Sequence, residues 1–176
     1  MPRHAPPSTS SPTDVILPMR DPYMSQILSG AKNHEFRKYR LSARVARIWF
    51  YRTAPHSALT HICSIAPGGA RTRVAGVDAP LAEDGLGNAE FNARHAGWEG
   101  YDFAYRILSV WELRTPVPLA ELRAKYGFRA APRGLVYLPR SVAQRVVWHR
   151  QKLVIRDESQ ETSRESSLRA DSATPT

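Results

Sequence analysis

The stretch Gly30–Arg40, GAKNHEFRKYR, sets four Lys/Arg residues, one carboxylate, one histidine and two aromatics directly behind a helix stop. Side chains alternate along a strand, so Glu35, Arg37 and Tyr39 share one face, and His34, Phe36, Lys38 and Arg40 the other. Lys32 stands just upstream. A carboxylate set among cations holds their geometry and keeps all of them ionised. A row of carboxylate, guanidinium and phenol can hydrogen-bond a polar planar ligand such as a nucleobase. The plainer alternative is that Lys32 and Arg37 pair with Glu35 and set the register of a sheet. His34 reads as a packed or surface strand residue rather than a base or ligand.

The elements on either side place this stretch in a fold. Before it, DVILPM (14–19) is a short strand stopped by Pro18. RDPYMSQILSG (20–30) is a helix with Asp21 as N-cap and Pro22 at the first helical position. Tyr23, Met24, Ile27 and Leu28 recur on it at helical spacing, and Gly30 supplies its structural stop. After it, NHEFRKYRL (33–41) and ARIWFYRT (46–53) read as two strands. Trp49 and Tyr51 alternate there with Ile48 and Phe50, and both pairs are expected in a core. ALTHICSI (58–65) is a third strand, ended by the turn-prone APGG.

From Gly68 to Gly100 the pattern is loop-like, with a short helix in NAEFNARHAG whose N-cap is Asn88. YDFAYRILSVWELRT (101–115) is the longest strand signal, with Tyr101, Tyr105 and Trp111 on one face. PLAELRAKYG (118–127) is a helix with Gly127 as its stop, and GLVYLP (134–139) a short strand. SVAQRVVWHRQ (141–151) is a final helix opened by a Ser141…Gln144 capping box. Strands outnumber helices and most connections are short. The class is α+β: a small mixed, mostly antiparallel β-barrel with peripheral helices.

A chain of 176 residues accommodates one domain, 14–156, able to bury a core without staples. The flanking segments 1–13 and 157–176 are polar and Pro/Ser/Thr-rich, and are expected to be disordered. Cys63 is the single cysteine, which excludes an intramolecular disulfide and fits a reducing compartment. No apolar leader or spanning segment is visible. The expectation is an intracellular protein, in cytoplasm or nucleus, without a membrane partner. The formal charge is +9, and 21 of the 25 basic residues are arginine. The body from Asp14 to Arg156 carries +11, a field that favours anionic partners. No metal-ligand spacing, Walker, G-x-S-x-G or H-E-x-x-H motif occurs, and Gly85 and Gly87 do not make a nucleotide loop. No metal and no cofactor are expected.

ILSGAKNHEFRKYR resembles the signature of ASCH domains, a branch of the PUA-like superfamily. In that signature a helix is followed by G-x-K-x-x-E-x-R on the next strand, and Gly30, Lys32, Glu35 and Arg37 fill every defined position. DVILPMRDPYMSQIL and RIWFYRTAP are similar to the elements that flank it, so the resemblance spans residues 14–66, and by pattern 101–114. It implies a PUA-like β-barrel with a cleft beside the opening helix, binding RNA or a modified nucleobase or nucleotide. Lys32, Glu35, Arg37 and Tyr39 would line that cleft.

Some small bacterial ASCH proteins are amidohydrolases of N4-acetylcytidine. They use the motif lysine, a threonine three residues later and a glutamate from elsewhere. Here Glu35 occupies the threonine position, and a carboxylate does not replace a hydroxyl like for like. The alternatives are therefore a hydrolase of a modified nucleoside with Lys32 and Glu35 as acid/base pair, or a protein-interaction module without a nucleic-acid ligand.

Overall fold

The computed structural model describes residues 10–67, 71–72 and 78–156. The first strand, β1 (Ser10–Met19), leads into α1 (Tyr23–Leu28), then β2 (His34–Arg37), β3 (Arg47–Arg52), β4 (Ala58–Ile65) and β5 (Arg71–Thr72). There follow α2 (Asn88–Ala93), β6 (Phe103–Pro118), α3 (Leu119–Lys125), β7 (Val136–Pro139), α4 (Arg140–Arg145), a 3-10 turn (Trp148–Arg150) and β8 (Lys152–Arg156). β1 begins ahead of the expected Asp14 boundary, with Ser10 opposite Pro139 of β7. The segments 1–9 and 157–176, expected to be disordered, lie outside the described residues.

The strands form one mixed sheet in the order β2-β6-β4-β3-β1-β7, with β5 and β8 also paired to β6. All pairings are antiparallel except that of β1 with β3. The α+β class holds, but the expected closed barrel does not form. β2 and β7 end the path and share no ladder among the described residues. β2 reaches β1 through a side chain instead, Arg37 Nη2 donating to Pro18 O at 3.0 Å.

Alternation along the central strands separates two large core clusters, beside a smaller one of Phe36, Leu81, Phe91 and Ala104. Val15, Leu17, Ile48, Phe50 and Cys63 pack on one face with Met24 and Ile27 of α1 and with Tyr105. Ile16, Trp49, Tyr51, Leu59 and Ile62 pack on the other with Leu122, Leu138 and Val142. Both pairs of the Ile48–Tyr51 run are thus core, as expected; fully burying each such side chain contributes about 1.5–3 kcal/mol.

Tyr105 and Trp111 do not share a face. A register irregularity where Ser64 and Ile65 oppose Ser109 and Ile107 shifts the alternation within β6. Tyr105 therefore joins the first core and Trp111 borders the second.

Three cap expectations are corrected. Asp21 does not cap α1; Pro22 holds that position, and Asp21 accepts from Arg52 Nη2 at 2.6 Å. Gly87, at φ 89°, precedes α2 in place of Asn88, because the Asn88 amide is used to hold a loop. The last helix starts at Arg140 after Pro139, without a capping box, and ends at Arg145 where Val146 turns extended. Gly30 behaves as read: at φ 77° it follows α1 in a left-handed conformation, which L residues with a Cβ resist.

Candidate functional site

Lys32 leaves the α1 turn with its backbone N–H bonded to Gln26 O at 2.9 Å. Its Nζ donates to Glu35 Oε2 at 2.6 Å. The other carboxylate oxygen, Oε1, lies 2.7 Å from Arg37 Nη2, and Tyr39 lies close enough for its phenol to feel the charges of both Arg37 and Glu35. The four residues singled out in the sequence are therefore brought together as a row, with lysine, carboxylate and guanidinium in contact and the phenol near the guanidinium.

Their exposure opens outward. The Lys32 and Glu35 side chains are 9% and 5% exposed and that of Arg37 is 16%, while Tyr39 is 36% exposed. Arg37 Nε is buried without a hydrogen-bond partner.

Tyr39 reaches this row by a different route from the one expected. β2 ends at Arg37 because its ladder with β6 ends there, Arg37 opposite Phe103. Lys38–Arg40 turn away, and Tyr105 fixes the turn: its hydroxyl accepts from Leu41 N at 2.6 Å and donates to Tyr39 O at 3.1 Å.

The electrostatics follow from the burial. Desolvation alone would raise the Glu35 pKa, but the charges of Lys32 and Arg37 and their hydrogen bonds outweigh it and hold the carboxyl below its usual range. Burial raises the Tyr39 phenol pKa. Cys63, close enough to feel both Glu35 and Lys32, is pushed well above the usual thiol range, chiefly by burial, and stays a neutral packing residue. Glu35 is thus an ionised acceptor shared between two cations, which makes it a weak base.

The opposite side of the motif is clamped by a loop. Leu86 N donates to Ala31 O at 2.8 Å. Asn33 Nδ2 donates to Asp84 Oδ1 at 2.9 Å. Asn88 Nδ2 donates to Asn33 Oδ1 at 3.0 Å and to Ala82 O at 2.7 Å. His34 is buried, its Nδ1 2.7 Å from Asn33 Oδ1 and its ring stacked on Phe36. A Cβ at Gly85 would lie 2.3 Å from Asn33 Oδ1, so this glycine serves the close approach of loop and motif.

A second polar centre escaped the sequence reading. Asp14, 3% exposed, accepts from Arg47 Nε at 2.9 Å and Nη2 at 2.7 Å, from Trp49 Nε1 at 2.8 Å and from Thr13 Oγ1 at 2.7 Å. Burial works to raise the Asp14 pKa, but these bonds hold it below its ordinary value. The Arg47 guanidinium also lies 4.7 Å from the ring centroid of Trp148, which meets Trp111 edge-on at 4.9 Å. The available signal was Asp14 at the head of an apolar strand; its partner became visible only through the parallel β1–β3 pairing. Among the described residues no group of three or more His, Cys, Asp or Glu is placed to hold a metal. Among the described residues no helix is long and apolar enough to cross a membrane.

No protein-family model and no curated protein matches the sequence. Among solved structures, the ASCH protein of Zymomonas mobilis aligns at a TM-score of 0.53 and 22% identity, over 78% of this chain and 95% of that one. Two single-residue variants of the same protein, one Ser to Ala and one Tyr to Phe, align at a TM-score of 0.54 and 20% identity over 96% of their chains. The present chain has the fold of these ASCH structures. That agrees with the resemblance read from Gly30, Lys32, Glu35 and Arg37.

Proposed function

We propose that this ASCH-fold chain binds RNA, or a modified nucleobase or nucleoside, at the exposed end of the Lys32–Glu35–Arg37–Tyr39 row. One observation carries the reading: the row runs outward from the buried Lys32–Glu35 ion pair through Arg37 to the partly exposed Tyr39. Glu35 and Lys32 hold the guanidinium in place, while Arg37 and Tyr39 meet the ligand.

The lowered Glu35 pKa and the engagement of both its oxygens favour this binding role over the hydrolase alternative, in which Lys32 and Glu35 exchange protons. A base held below the usual carboxylate range takes up a proton poorly at neutral pH.

The test is a titration of wild type, Arg37→Ala and Tyr39→Phe against homopolymer RNAs and a panel of modified nucleosides. Arg37→Ala is expected to reduce affinity by about 1–3 kcal/mol where the contact is to a base edge, and Tyr39→Phe to re-rank ligands by the lost hydroxyl. Unchanged affinities and ranking in both variants would overturn the reading. Turnover of any nucleoside, abolished by Glu35→Gln in a folded variant, would replace it with the hydrolase.

A further inference from the structure

The cations of the motif are spent on Glu35, so the basic field of the protein has another source. Between Arg123 and Arg156 the sequence holds nine Lys/Arg residues and no Asp or Glu. That acid-free run contains the end of α3, all of β7 and α4, the 3-10 turn and β8. Of its apolar residues, Tyr126, Phe128, Leu138, Val142 and Trp148 pack on the second core and Leu135 and Ile155 on the first, so the run covers chiefly the second-core side of the sheet. The motif row borders the other core, through Cys63 and Tyr105.

Arg123, Arg129, Arg133, Arg140, Arg145 and Arg150 are exposed, and none forms an ion pair among the described residues. Lys125 and Lys152 in the same run are paired, with Glu121 and Glu112. A solvated protein surface ordinarily mixes both signs; six unpaired guanidinium groups repel one another. That repulsion is relieved when a polyanion exchanges its condensed counterions for them.

We infer that the acid-free wrap from Arg123 to Arg156 is a phosphate-backbone interface, separate from the motif row, that holds an RNA strand while the row reads a base. The choice of RNA as the polyanion rests on the function proposed above. Seven of the nine cations are arginine, whose planar fork matches a phosphate bidentately where lysine offers a point charge. The exposed apolar residues here, Tyr137, Leu153 and Val154, are split between β7 and β8. They do not form the continuous apolar helix face that membrane binding needs.

The experiment measures binding of fluorescein-labelled oligo(U) RNA at several salt concentrations. It compares wild type, the triple variant Arg129→Gln/Arg133→Gln/Arg140→Gln, and Arg37→Ala. All three sites of the triple variant are exposed; circular dichroism and melting temperature establish that it is folded. The slope of log affinity against log salt is expected to become shallower by about 2 in the triple variant, at about 0.7 per lost phosphate contact, with the ranking of homopolymers unchanged.

A folded triple variant with the wild-type slope overturns the interface, as does wild-type protein that shows no salt-dependent binding. Binding of the wild type to anionic phospholipid vesicles, competed by salt and lost in the triple variant while RNA binding persists, overturns it as well. A shallower slope in the triple variant, together with no effect of Arg37→Ala on any ligand, upholds the wrap and removes the base-reading role of the row. The two claims therefore fail separately.

Discussion

Lys32 Nζ and Glu35 Oε2 meet at 2.6 Å with both side chains below 10% exposure, so the signature lysine of the motif is held as an internal counter-ion. A charge removed from such a pair leaves its partner buried and uncompensated, at a cost of about 3–5 kcal/mol. Arg37 is a second partner to Glu35 and moderates the loss.

Lys32→Met is accordingly expected to destabilise the fold by about 2–4 kcal/mol. Gly30→Ala, strained only by its left-handed backbone and with nothing within 4 Å of the added carbon, is expected to cost about 1–2 kcal/mol. The paired variant Lys32→Met/Glu35→Gln should recover part of the loss. Urea denaturation of the four proteins checks the order; Gly30→Ala proving the more damaging would place Lys32 in solvent.

Gly85→Ala should be costly for another reason. The new methyl would lie 2.3 Å from Asn33 Oδ1, and Asn33 cannot swing freely because Asp84, Asn88 and His34 all engage it. Overpacking of this kind costs about 1–3 kcal/mol. In an Asn33→Ala background the clash disappears, so the cost of Gly85→Ala should fall toward zero. Additive losses in the double-mutant cycle would show that the loop does not rest on the motif.

The motif row was legible because its residues are close in sequence. Gly30 ends a helix, Lys32 follows in the turn, and Glu35 and Arg37 then share a strand face, so local rules placed them together. Tyr39 was grouped with them by strand alternation, but it is not on the strand, and Tyr105, far along the chain, fixes its turn. The open sheet, the face switch within β6 and the Asp14–Arg47–Trp148 contacts depend on long-range register that no local pattern encodes. Asp21 and Asn88 both look like caps, but tertiary partners compete for their side chains and win. β8 was missed because KLVIR is mostly exposed and shows no alternation.

His61 gives a pH prediction. It is buried in β4 with Nδ1 2.8 Å from Thr60 Oγ1, and burial depresses its pKa from 6.5 to about 4. Between those values the unfolded chain takes up a proton that the folded chain refuses. The associated stability is present in full above pH 6.5 and is lost as pH falls toward 4. Over that window the loss is about 3 kcal/mol, at about 1.4 kcal/mol per unit. Denaturation midpoints across the window should fall in wild type and flatten in His61→Gln. An imidazole that titrates near 6.5 by NMR would contradict the assignment.

Asp14 links the sheet to the basic wrap. It accepts both arms of Arg47, and Arg47 in turn lies against Trp148, two residues before Arg150. Asp14→Asn keeps the shape but removes the charge, leaving a largely buried guanidinium without its counter-ion, a loss of about 3–5 kcal/mol. Arg47→Lys keeps the charge and loses the fork and the planar contact with the indole, and should cost less than Asp14→Asn. The Asp14 pKa lies below its ordinary value, so this contribution is present at neutral pH and is lost as pH falls through the folded-state pKa. Trp148 reports the change: its fluorescence should shift to the red in Asp14→Asn before global unfolding, and in wild type only in acid. Because the 3-10 turn then loosens, the salt-dependent RNA affinity of Asp14→Asn should weaken even under conditions where circular dichroism shows the sheet intact. An Asp14→Asn protein with wild-type stability and an unshifted Trp148 emission would show that Arg47 is held by the indole and solvent alone.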